Sequence, residues 1–105
     1  MKTLAMLDMK NILGTLGEGE IILDVRGADE FKRGHLPGAR NIPHDQVAQH
    51  AAELKNFKSI YIHCQAGRRA GIAADALSKL GLTNIVCISG GGMGDWLAAG
   101  LPVES

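Results

Sequence analysis

A three-layer α/β/α domain, with helices on both faces of a parallel sheet, is the architecture this chain predicts, and three features predict it. Glu20–Val25, Ile60–His63 and Ile85–Ile88 are short, nearly continuous apolar runs, the pattern of strands buried on both faces. Between them lie stretches whose apolar residues recur at three- and four-residue spacing, the pattern of one-sided helices. The alternation continues along all 105 residues without linker, repeat or low-complexity tract, so residues 1–105 are expected to form a single domain. In such sheets ligands bind outside the carboxyl ends of the strands, which puts Asp24-Val25-Arg26, His63-Cys64 and Ser89 to Gly92 on one rim.

The elements follow in order. Asp8 is placed to cap a helix with apolar positions Met9, Ile12, Leu13 and Leu16, and Gly17 stands where a left-handed C-terminal residue is wanted. After the first apolar strand, Ala28 to Arg33 is a short helix stopped by Gly34, and Leu36-Pro37-Gly38 is a turn before an extended piece, Ala39 to Ile42. Pro43 opens a helix with Val47, Ala51 and Leu54 on one face. The strand Ile60 to His63 leads through a short loop into a helix from Ala70 to Leu80 whose buried side is Ala73, Ala76, Leu77 and Leu80. The last strand, Ile85 to Ile88, passes through Ser89 and three glycines to a helix with Met93, Trp96 and Leu97 on one side, ended by Gly100 and Pro102.

Composition narrows the function. Lysine plus arginine and aspartate plus glutamate both number 11, so no global field draws in nucleic acid or an anionic membrane, and anion binding must be local. The opening Met1 to Leu7 begins like a secretory signal, but Asp8 and Lys10 interrupt it before an apolar region of about seven to fifteen residues forms. A cytoplasmic protein without a membrane span is expected. The two cysteines, Cys64 and Cys87, make no disulfide framework, and without CxxC or Cys/His spacing no metal site is expected.

The chemistry concentrates in Cys64-Gln65-Ala66-Gly67-Arg68-Arg69. The cysteine ends a strand, Gly67 lets the backbone curl, and successive main-chain N–H groups can converge on one spot at a helix N-terminus, an anion cradle. N–H dipoles, helix dipole and guanidinium charge all favour thiolate over thiol there. Arginines at a helix start oppose the macrodipole unless an anion binds, which marks Arg68 and Arg69 as candidate anion contacts. Cys87 lies inside an apolar run and reads as a buried, inert residue. His63 adjoins Cys64, but neighbouring strand residues point to opposite faces, so it is not expected to act as its base. Asp24 and Arg26 have two readings, a surface ion pair or a support for the loop. His35, His44 and His50 read as turn and surface residues. The Gly90 to Gly92 run reads as a tight turn that also allows a close backbone approach to the active loop.

These residues resemble the single-domain rhodanese-like sulfurtransferases. Leu23-Asp24-Val25-Arg26, Glu30-Phe31, Gly34 to Ala39 and Asn41-Ile42-Pro43 are similar to the family's N-terminal signature. Gly91-Gly92-Met93, Trp96 and Ala99 to Val103 resemble its C-terminal one, and a cysteine followed by four residues and an arginine resembles its catalytic loop. The resemblance implies a central five-stranded parallel sheet and neither metal nor organic cofactor. It also implies that Cys64 takes sulfane sulfur from a thiosulfate-like donor as a persulfide and passes it to cyanide or a thiol, with a protein acceptor as a further partner. Residues 65 to 69, Gln65 through Arg69, would then hold the donor's oxyanion. Many members that prefer thiosulfate have a basic residue directly after the cysteine, where this chain has Gln65.

Two other functions share these residues. Cysteine phosphatase loops place five residues between cysteine and arginine; here the arginine arrives one place early, at Arg69, and Ala70 stands in its position. A sulfur carrier that holds a persulfide for a partner without turning over free donor needs the same cysteine as the enzyme.

Overall fold

The computed structural model describes residues 1–105. Its strands are β1 (Lys2–Ala5), β2 (Glu20–Asp24), β3 (Arg40–Asn41), β4 (Ser59–His63) and β5 (Ile85–Gly90); its helices are α1 (Met9–Thr15), α2 (Ala28–Lys32), α3 (Ala51–Leu54), α4 (Arg68–Lys79) and α5 (Met93–Ala98). The strands form one all-parallel sheet in the order β1-β5-β4-β2-β3. The strand order reverses between β2 and β4, and Asp24 pairs in register with His63, so the carboxyl ends of these two strands lie side by side. The expected three-layer arrangement holds.

Strand parity assigns the two faces. Leu23, Val25, Ile60, Ile62, Cys64 and Cys87 pack with Ala70, Ala73, Ala74 and Leu77 of α4 and Leu54 of α3. Ile22, Val86 and Ile88 pack on the other side with Met9 of α1 and Met93 and Trp96 of α5. The buried alanines let α4 approach the sheet closely. Trp96 is fully buried and its indole N–H donates to the Pro102 carbonyl at 2.9 Å, which ties the C-terminal segment to α5. Glu104 then bridges back to His35.

The structure departs from the sequence expectations in several places. The start of the chain is β1, an edge strand with little burial; only the backbone of β5 makes it a strand, and no apolar periodicity announces it. Asp8 does not cap α1, because its carboxylate accepts the Ala5 N–H at 3.1 Å in the preceding turn. Gly17 is not left-handed; Gly19 is, with φ 82°, at the entrance to β2. The chain after Pro43 makes a turn and a 3-10 segment, Val47–His50, before α3, with Val47 and Leu54 buried as expected. In α4 the buried alanine beside Ala73 is Ala74, while Leu80 projects past the sheet and is exposed, as is Leu97 on α5. Helix α4 also starts at Arg68, two residues early, because Gly67 at φ 112° turns the chain at once into helical geometry.

Candidate active site

Cys64 follows β4 directly and is buried, with its side chain on the α4 face of the sheet. Its Sγ accepts the Gly67 N–H at 3.1 Å and the Ala70 N–H at 3.2 Å. Both donors come from the loop and first turn of α4, where N–H groups lack intrahelical partners. An anion on this sulfur is therefore met by main-chain dipoles and a helix N-terminus.

The loop is held from the other side by α5. The Met93 N–H donates to the Cys64 carbonyl at 2.9 Å and the Gly94 N–H to the Gln65 carbonyl at 3.1 Å. With both carbonyls committed to α5, the peptide planes of the loop cannot turn over. Gly92 permits this approach, since a Cβ there would collide with the Cys64 carbonyl oxygen and the Gln65 backbone. Gly67 is constrained similarly, by its left-handed φ and by the Ser89 carbonyl, 2.7 Å from where a Cβ would stand. The glycine run is thus a turn that also clamps the active loop.

Asp24 and Arg26 form a buried pair, not a surface one. The Arg26 Nη2 lies 2.8 Å from Asp24 Oδ2, its Nε donates to Oδ1 at 3.0 Å, and the two side chains are 3% and 0% exposed. Burying both charges is tolerable only with further hydrogen bonds, and these are present. Arg26 also donates to the Gly34 carbonyl at 2.7 Å, and Asp24 Oδ1 accepts the Arg26 N–H at 3.0 Å. The remaining end of the guanidinium reaches Gln65 Oε1 at 3.4 Å, so the pair extends to the active loop.

His63 points to the face opposite Cys64, like Tyr61. Its ring is fully buried, neither nitrogen has a hydrogen-bond partner, and Nε2 is 3.9 Å from Asp24 Oδ2, too far for a bond. Burial pushes its pKa below the usual histidine value, partly opposed by the Asp24 charge, which favours the neutral ring. Cys87 is buried in the same core layer as Cys64, and burial pushes its thiol up. His35 stacks on Phe31 with ring centroids 3.7 Å apart, in the turn after α2.

Arg68 is exposed, Ala66 is exposed and Gln65 is half-buried. Arg69 is already engaged: its Nη1 lies 2.6 Å from Glu30 Oε1 and its Nη2 2.9 Å from Oε2, a bidentate fork joining α4 to α2. Glu30 belongs to the N-terminal signature, but that resemblance gives it no role at the site. Its local signal is its place three residues after Gly27, whose N–H it caps at 3.1 Å. Arg69 holds the Glu30 carboxyl down to about 2, well below the usual carboxylate range.

Beside Gln65 an open depression is lined by Arg26, Glu30, Arg33, Gly34, Gln65 and Leu97. A second, bounded by Met1, Ser78, Leu82, Thr83 and Ile85, lies at the amino ends of the strands, away from Cys64. No group of three or more His, Cys, Asp or Glu side chains is arranged to hold a metal ion. No helix is long and apolar enough to cross a membrane.

Comparison with known proteins gives a consistent family. The rhodanese-like domain model matches residues 5–99. YqhL, an uncharacterized protein of Bacillus subtilis, is 40% identical over 90 residues, covering 78% of this chain and 71% of YqhL. YrkF of the same organism, provisionally named a sulfur carrier protein, is 40% identical over 75 residues, which span 71% of this chain but 40% of YrkF. The thiosulfate sulfurtransferase PspE of Escherichia coli is 34% identical over 65 residues, covering 60% of this chain and 62% of PspE. Among solved structures, a rhodanese-like domain protein from Staphylococcus aureus superposes with a TM-score of 0.79 at 31% identity, covering 100% of both chains.

Proposed function

Because this chain belongs to the rhodanese-like domain family, we propose that it is a sulfurtransferase that carries sulfane sulfur as a persulfide on Cys64. The observation that carries the reading is the pair of main-chain N–H groups, from Gly67 and Ala70, directed at Cys64 Sγ. They favour a sulfur anion without needing a side-chain base, and His63, the adjacent candidate, lies on the other face of the sheet.

The reaction has two displacements at sulfur. The Cys64 thiolate attacks the sulfane sulfur of a donor, an S–S bond forms at Sγ, and the donor's own bond to that sulfur breaks. The transferred sulfur then occupies the place of the thiolate at the mouth of the cradle. A thiophilic acceptor, cyanide or a thiol, attacks this outer sulfur and returns Cys64 to the thiolate. Gln65 to Arg69 form the wall the donor meets, with backbone N–H groups from the loop and positive charge from Arg68, the charge of Arg69 being paired with Glu30. Asp24 and Arg26 support that wall through Gln65.

The test is direct. Incubation with thiosulfate or a persulfide should add the mass of one sulfur, and cyanide should remove it with ping-pong kinetics. Cys64→Ser should not load, while Cys87→Ser should behave like the parent. Equal loading of Cys64→Ser would sink the assignment. The identity with YrkF favours a second reading, a carrier that delivers its persulfide to a partner protein. It is distinguished by stoichiometric loading without turnover when cyanide and donor are both in excess.

A further inference from the structure

Resting on the sulfurtransferase reading, we propose that Glu30 sets the donor class by occupying Arg69, turning the site away from small dianions such as thiosulfate and toward thiol persulfides. Arg69 stands on the first turn of α4, five residues after Cys64, and is only partly exposed, so its planar fork could hold an oxyanion if it were free. Each of its terminal nitrogens donates to Glu30, which pairs its charge with that carboxylate. Glu30 is in turn fixed by the Gly27 N–H and stays ionised far into acid, so its negative charge is a permanent part of the depression beside Gln65. Of the two guanidinium groups that line the depression, Arg26 is neutralised by Asp24. Arg33 and Arg68 are exposed, and exposed charges are screened by salt and select little among anions.

The leaving group explains why this matters. With thiosulfate, attack by the Cys64 thiolate expels sulfite, so two negative charges must be held at the wall as the S–S bond breaks. With a persulfide R–S–S⁻, the thiolate attacks the outer sulfur, the new S–S bond forms at Sγ, and R–S⁻ departs with the electron pair of the broken bond. That step needs no outside oxidant or reductant and leaves one charge, on a group that extends out into solvent. An arginine already paired suits the second donor and penalises the first.

The experiment compares kcat/KM for thiosulfate and for cysteine persulfide in the parent, in Glu30→Gln and in the double variant Glu30→Gln/Arg69→Gln, with thermal melting of each. The parent should favour the persulfide by at least about tenfold. Glu30→Gln, which is isosteric and can still cap Gly27, should shift the ratio toward thiosulfate by roughly fivefold, the scale of one partly exposed charge contact. That shift should vanish in the double variant. A parent that prefers thiosulfate overturns the proposal without any variant being needed. An unchanged ratio in a folded Glu30→Gln protein, or equal losses with both donors, also overturns it while leaving the sulfurtransferase reading intact. A parent inert to both donors overturns both.

Discussion

The guanidinium of Arg26 stands between two residues remote in sequence from each other, paired with Asp24 and 3.4 Å from the amide oxygen of Gln65, 39 positions along the chain. Through it, the ends of β2 and β4 and the active loop share one polar network. Removing the arginine leaves a buried carboxylate without its partner. Arg26→Met should therefore lower stability by about 3–5 kcal/mol, the usual penalty for breaking a buried pair from one side. Urea denaturation measures this, and a variant as stable as the parent would show that the pair contributes little. Where the variant still folds, sulfur loading of Cys64 should slow, because Gln65 loses its support.

Two glycines make contrasting predictions. At Gly92 an added methyl meets the backbone of Cys64 and Gln65, so Gly92→Ala must displace either α5 or the active loop. A loss of roughly 1–3 kcal/mol is expected from such overpacking, with a larger proportional loss of sulfur transfer. Gly14 lies in α1 with nothing within 4 Å of its would-be Cβ. Gly14→Ala should leave transfer unchanged and stabilise the fold by about 0.5–1 kcal/mol through helix propensity. Melting temperatures and loading rates of the two variants, side by side, decide the point.

Stability should fall with acid in two windows. His63 is held neutral by burial, whereas the unfolded chain takes up its proton as pH drops below about 6.5, so the native state loses ground from there downward. Glu30 has the same sign for a different reason. Its carboxyl is kept near 2 by Arg69, against an ordinary 4.5, so the stability it contributes is present above about 4.5 and is lost between there and about 2. His63→Phe should flatten the first window and Glu30→Gln the second, as read from denaturation midpoints across pH. A midpoint that rises on acidification just below pH 6.5 would contradict the first assignment, and one that rises between about 4.5 and 2 the second.

Hydrolysis of an aryl phosphate should not exceed that of a Cys64→Ser control. A phosphatase loop would bring its arginine to position 70, which is Ala70 here; that residue is buried and its N–H already serves Cys64 Sγ. Arg69, one place earlier, is turned to Glu30. Cysteine-dependent phosphate release in a steady-state assay would reverse this ranking of chemistries.

Element type and order were legible in the residues themselves, because they depend on local periodicity. The apolar runs of β2, β4 and β5 announced strands buried on both faces, and the spacing in α1 and α4 announced one-sided helices. Strand parity also separated His63 from Cys64 before any coordinates, since side-chain alternation is a property of the strand alone. The Cys64 loop was legible for a similar reason, as its geometry is set within six residues by a strand end, one glycine and a helix start. What the sequence could not decide were relationships between distant segments. Strand β1 exists because β5 offers an edge; the burial of Asp24 and Arg26 depends on how the turn after α2 covers them; the Gly92 clamp depends on where α5 lands. Most consequential is the pairing of Arg69 with Glu30, 39 residues apart, which turns an arginine that sequence marks as a free anion contact into one already neutralised. A charge can be read from a residue's identity, but its availability depends on which opposite charge the fold brings within about 4 Å, and only tertiary packing sets that distance.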